Sequence, residues 1–134
     1  MTMQSLTRES LTSFMHRFES FNDGLIRSVE YRYIAAGARK AVITASVMDH
    51  LQAQGWSNVV LTIDEVTEIK LWEDRRTSCQ VLSGGLKVDW FDGVAFLSFS
   101  LSIADPTSVE HFRESEFYVA GRSVLWYATA YDDK

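Results

Sequence analysis

One cysteine, one proline and seven glycines are all that this 134-residue chain holds of the residues that staple, kink or loosen a backbone. With Cys79 alone, an internal disulfide and a multi-cysteine zinc site are both excluded. No apolar run approaches the ~20 residues that a membrane helix needs, so no membrane association is expected. The opening MTMQSLTRESL lacks a charged start followed by an apolar block, so no signal peptide is expected either. Together with the single thiol this points to a reducing, cytoplasmic setting. Basic residues are also scarce: Lys and Arg number 13 against 18 Asp and Glu, a net charge of −5. They are scattered, and the pair Arg75-Arg76 follows directly on Glu73-Asp74, which neutralises it. A nucleic-acid partner is therefore not expected, whereas an acidic surface suits a basic protein partner. Three histidines (His16, His50 and His111) carry no metal-ligand spacing, and SGGL at 83–86 lacks the lysine and Ser/Thr of a phosphate loop, so no metal or cofactor is expected.

What is present is apolar and aromatic: 46% hydrophobic residues and 13% aromatics, enough for one core in a single domain spanning 1–134. Leu11, Phe14, Met15 and Phe18 recur at helical spacing and predict an amphipathic helix over roughly Thr7 to Phe21. Ser5 or Thr7 can cap its start, and Asn22, Asp23 and Gly24 close it. From Leu25 the period becomes two, with Val29, Tyr31 and Tyr33 on one face and Ser28, Glu30 and Arg32 on the other. Ala41, Ile43, Ala45 and Val47 form the next apolar face, and a connecting loop of odd length would put these two sets on the same side. Val59, Leu61 and Ile63 continue the pattern, then Val66, Ile69 and Leu71 follow out of phase, so a tight turn or bulge is expected at Asp64-Glu65.

The firmest local signal is LKVDWFDGVAFLSFSLSI, where Asp92-Gly93 predicts a two-residue hairpin turn. That turn sets Phe91 opposite Val94, Trp90 opposite Ala95, Val88 opposite Leu97 and Leu86 opposite Phe99. ADPTSVEHFRES reads as a loop with one helical turn after Pro106. The last strand sorts Phe117, Val119 and Leu125 to one face and Tyr118, Val124 and Trp126 to the other. A strand apolar on both faces is covered twice or meets a partner. The expected fold is α+β: an N-terminal helix packed on a curved, mostly antiparallel sheet of about six strands.

No catalytic constellation emerges. Asp23 lies in a turn of Asn, Asp and Gly, and no spacing brings Glu19 or Glu30 to it, so it reads as the corner residue. Cys79 precedes an apolar strand and reads as a packed thiol, although Arg75 and Arg76 nearby would favour its ionised form. Two surfaces stand as candidates. Glu68, Trp72 and Glu73, within DEVTEIKLWEDRR, together with Tyr118 and Trp126 of the last strand, form a candidate protein interface. Phe96, Ser98, Ser100 and Ser102 form a candidate ligand face on the concave side of the sheet.

The stretches FESFNDGLIRSVEYRY, VVLTIDEVTEIKL and SEFYVAGRSVLW resemble small bacterial α+β domains, some of them similar to immunity proteins of toxin systems. The opening matches through Phe18, Phe21, Asn22 and Asp23, and it carries over no catalytic residue. The leading expectation is a non-enzymatic, cytoplasmic domain that works through protein contacts, either as an immunity-type inhibitor or as a homodimer. The alternative is a small-molecule-binding module, or an enzyme, using the concave face. A pocket lined by Ser98, Ser100 and convergent ionisable side chains would favour the second, and a flat surface with Trp72 or Trp126 exposed the first.

Overall fold

The computed structural model describes residues 2–100 and 105–131. All its strands pair antiparallel. In chain order they are β1 (Gln4–Ser5), β2 (Gly24–Tyr33), β3 (Arg39–Met48), β4 (Trp56–Leu71), β5 (Val81–Leu82), β6 (Lys87–Phe91), β7 (Val94–Ser98) and β8 (Phe117–Ala130), with helices α1 (Arg8–Arg17) and α2 (Val109–Arg113). The sheet runs β5-β2-β3-β4-β8-β7-β6, with β1 added alongside β8, and curls into a half-barrel. Eight strands form where about six are expected, because β1 and β5 are two-residue strands too short to show a period.

Helix α1 begins where its cap predicts. Thr7 accepts from the Ser10 N–H at 3.3 Å, and Ser10 Oγ accepts in return from the Thr7 N–H at 3.0 Å. It ends one turn earlier than its apolar spacing suggests. Glu19, Ser20, Phe21 and Asp23 all take left-handed φ, between 52° and 63°. Left-handed residues cost about 1–2 kcal/mol each. The turn they make buries both Phe18 and Phe21 completely, and each such ring returns about 1.5–3 kcal/mol. Main-chain bonds from Leu86 to Ser20 and from Asp23 to Leu82 then tie the turn to the chain crossing beside it. Asp23 is thus a corner residue, placed by its backbone.

The sheet registers follow the sequence pattern closely. Val29 lies opposite Ile43 and Tyr31 opposite Ala41, and Ala41, Ile43, Ala45 and Val47 are all fully buried. At Asp64-Glu65 the chain does not turn, and the bulge falls just beyond it. Glu65 has φ 50°, the register with β8 slips between Val66 and Glu68, and β4 continues unbroken to Leu71. The Asp92-Gly93 turn has positive φ at both residues, 52° and 76°, and sets every expected pair from Phe91–Val94 to Val88–Leu97. The ladder stops at Lys87–Ser98, so Leu86 and Phe99 are buried beyond it without pairing. A side chain at Gly93 would meet open space, so only backbone strain opposes it. Gly93→Val should therefore cost about 1–3 kcal/mol in urea unfolding, while Gly93→Asn stays near wild type, since Asn tolerates this φ.

The last strand departs from the expected sorting. Phe117, Val119, Val124 and Trp126 share one core face, because the alternation slips near Arg122-Ser123 opposite the β4 bulge. Trp126 packs edge-on against Phe14 and Phe18, with ring centroids 5.0 and 5.4 Å away. The other face, Tyr118 and Ala120, forms a second small core with Phe96 and the α2 residue Phe112. The second cover that a strand apolar on both faces calls for is thus supplied by the chain's own α2.

Candidate functional site

The candidate surfaces read from the sequence separate in space. Phe96 and Ser98 are buried beneath α2, where Ser98 Oγ bonds Ser115 Oγ at 2.8 Å, so they offer no ligand face. Ser100 is half-buried and its carbonyl accepts from Ser115 at 3.2 Å. Ser102 lies outside the described residues. Of the interface set, Trp126 is only 7% exposed and Tyr118 is also buried, so neither presents an outer surface. Glu68 is occupied by Arg113, at 2.8 and 2.6 Å, and by the Tyr118 hydroxyl at 2.9 Å. The Glu73 carboxylate is turned onto its own loop, accepting from Ser78 at 3.1 Å and the Cys79 N–H at 2.7 Å. Trp72 alone stands out, 49% exposed beside Leu71. Burial, followed by the charge of Glu73, pushes the Cys79 thiol above its ordinary value, which makes it an inert packed residue.

A different group converges at the end of α1. Asp49 follows the last residue of β3, and its carboxylate is fully enclosed. It accepts from Arg17 Nε at 3.0 Å, Arg17 Nη2 at 3.1 Å, the Leu51 N–H at 2.9 Å and Ser57 Oγ at 2.5 Å. Burial is the largest single influence on this carboxyl and pushes it up. The hydrogen bonds from Arg17, Ser57 and Leu51, with the Arg17 charge, outweigh that and hold it below its ordinary range. Asp49 also organises the loop that follows, its N–H donating to Gly55 O at 2.9 Å and its carbonyl accepting from Gln52.

Arg17, the last residue of α1, is fixed on three sides. Asp49 holds two of its nitrogens, and its guanidinium carbon lies 4.6 Å from the Phe18 ring centre and 5.6 Å from that of Trp126. Its side chain is 24% exposed, and Nη1 has no protein partner among the described residues. The carbonyl of Arg17 accepts from the His50 N–H at 3.0 Å, so the loop also caps the helix. The His16 and His50 rings stack at 5.5 Å and 13°, and His50 Nε2 reaches Glu19 at 2.7 Å.

These groups border a groove of about 460 Å³ between α1, the 49–55 loop and β1. Phe14 and Trp126 line it, Leu51 stands at its side, and Arg17, His16 and His50 supply its ionisable groups. Gln4, Ser5, Ser10 and Ser13 make up the remaining wall. No carboxylate lines it, although the chain as a whole carries five more acids than bases. Among the described residues no set of three or more His, Cys, Asp or Glu is placed to hold a metal, and no helix is long and apolar enough to cross a membrane.

Sequence reading missed this site because Arg17 and Asp49 lie 32 positions apart. The one available signal was an acid directly after the apolar run AVITASVM, where an enclosed carboxylate needs a cation. Comparison of the chain with protein-family models, with curated proteins and with solved structures returns no match.

Proposed function

We propose that this chain is a ligand-binding domain whose α1 groove takes a small, partly apolar molecule carrying an anionic head. The observation that carries this reading is the make-up of the wall: aromatic and aliphatic carbon, a guanidinium held by Asp49 from behind and two imidazoles, with no carboxylate in the wall itself although Glu19 engages His50 beside it. A volume of about 460 Å³ falls in the range of small-molecule sites. The apolar body would lie against Phe14, Trp126 and Leu51, and the head would accept from Arg17 Nη1 and His16, His50 Nε2 being already engaged by Glu19. Asp49 keeps Arg17 in one orientation before a ligand arrives, which lowers the ordering cost of binding.

Thermal-shift and calorimetric titration with aromatic carboxylates, each matched to its primary amide, tests this. The carboxylates should bind about tenfold tighter than the amides, since an ionised acceptor strengthens the bond to a guanidinium. Ser13→Trp, on the outer rim, should fill the groove and abolish the shift while leaving unliganded stability unchanged. Equal binding of both members of each pair would remove the reading.

The half-exposed Trp72 favours a second reading, contact with a basic protein partner in the manner of an immunity-type inhibitor. Leu71 and Val81 are exposed in the same part of the chain, and Glu116 is joined to Trp72 through its backbone.

A further inference from the structure

The half-barrel has two free edges, and the chain treats them differently. Along β6 the edge is plugged: Arg8 donates to the Trp90 carbonyl and, at 3.0 Å, to Asp89. Capping of this kind is how sheets guard against unwanted pairing. On the other side β5 covers only Gly24 and Leu25 of β2. Beyond the bulge at 26–28, no strand among the described residues pairs with that edge. The Ile34 N–H bonds Ala38 O at 2.7 Å, which fixes the phase of the β2–β3 ladder. Even-numbered residues of β2 therefore turn their backbone groups towards β3, and Val29, Tyr31 and Tyr33 turn theirs outward. Tyr33 is 80% exposed and its neighbour Ile34 is exposed as well.

The charges on this strand decide what fits it. Glu30 and Arg32 lie on one face and already pair at 2.8 Å. An antiparallel copy of the same strand can dock about a two-fold axis in three neighbouring registers. An axis at residue 30 sets Glu30 against Glu30 of the partner subunit, and an axis at residue 32 sets Arg32 against Arg32 of the partner subunit. An axis at Tyr31 sets Glu30 against the partner's Arg32 and Arg32 against the partner's Glu30, and it also brings the outward-facing backbones of Val29, Tyr31 and Tyr33 into hydrogen-bonding pairs. We propose that two copies of this chain associate through their β2 edges in this last register, making one continuous sheet across a two-fold axis. The edge lies at the opposite end of β3 from the groove, so this association and ligand binding are read out separately.

Sedimentation equilibrium with charge-swapped variants tests it. Wild type should be dimeric at high-micromolar concentration. Glu30→Lys makes both positions basic and Arg32→Glu makes both acidic. Each alone should weaken dimerisation by roughly tenfold or more, because two cross-strand pairs turn from attraction to repulsion. An equimolar mixture of the two variants should regain the dimer, since every cross-strand pair is then of opposite sign. That recovery also shows that both variants are folded. A monomeric wild type, a dimer indifferent to either substitution, or a mixture that stays monomeric would each overturn the proposal.

Discussion

Asp49→Ala should lower the unfolding free energy by about 3–5 kcal/mol, the usual cost of stripping a buried ion pair of one member. The carboxylate it removes is fully enclosed, and it serves Arg17, Ser57 and the Leu51 N–H together. Arg17 would remain against Phe18 and Trp126 with its charge unanswered, and the 49–55 loop would lose the residue that folds it. Asp49→Asn keeps the shape and some of the hydrogen bonding, so it should fall between wild type and alanine. Urea unfolding monitored by circular dichroism separates the three. An alanine variant within 1 kcal/mol of wild type would mean that the pair is not holding helix to sheet.

The same group makes the fold sensitive to acid. Its carboxyl sits below the ordinary range when folded, as does that of Glu68, where the Arg113 hydrogen bond is the main cause. A carboxyl lowered by folding contributes stability at pH above its unfolded value, about 4, and loses it as the pH falls through the folded one. Stability should therefore decline below about pH 4, and the decline should be shallower in Asp49→Asn.

Trp126→Ala carries the second large effect, a loss of about 3–5 kcal/mol. The sequence allows Trp126 to be an interface residue, and at an interface its removal would leave the isolated chain nearly as stable as before. In the fold it is 7% exposed, wedged against Phe14 and Phe18 and roofed by Arg17. Removing it opens a cavity at the junction of α1, β1 and β8, which also forms part of the groove wall. A monomeric variant with an unchanged unfolding midpoint would return Trp126 to the surface.

Local geometry was legible where one residue type answers one backbone demand. Asp92-Gly93 could be placed because few residues accept two successive positive φ values. The irregularity at Asp64-Glu65 showed because Ile63 and Val66 broke an otherwise regular alternation, although the register slip itself falls just beyond it, between Val66 and Glu68. The matching slip in β8 did not show, because apolar residues on both faces leave no polar side to mark the phase. Phe112 was hidden for a related reason: in a five-residue helix one aromatic makes no stripe, yet with Val109 it closes the second core. The groove was illegible because it is built from α1, β1, β8 and a loop, whose mutual approach depends on sheet curl and not on spacing. Even the histidine stack, from two residues seen as unrelated, follows from the loop capping α1.

The groove's preference for an anionic ligand is tested most directly by residue-resolved NMR. Amide resonances should be followed during titration with an aromatic carboxylate, and then with its isosteric amide. The carboxylate should shift resonances of Gln4, Ser5, Ser13 to Arg17, His50 and Leu51 along saturable curves, with the amide about tenfold weaker at the same residues. Shifts scattered over the surface, or the same response to both compounds, would contradict it.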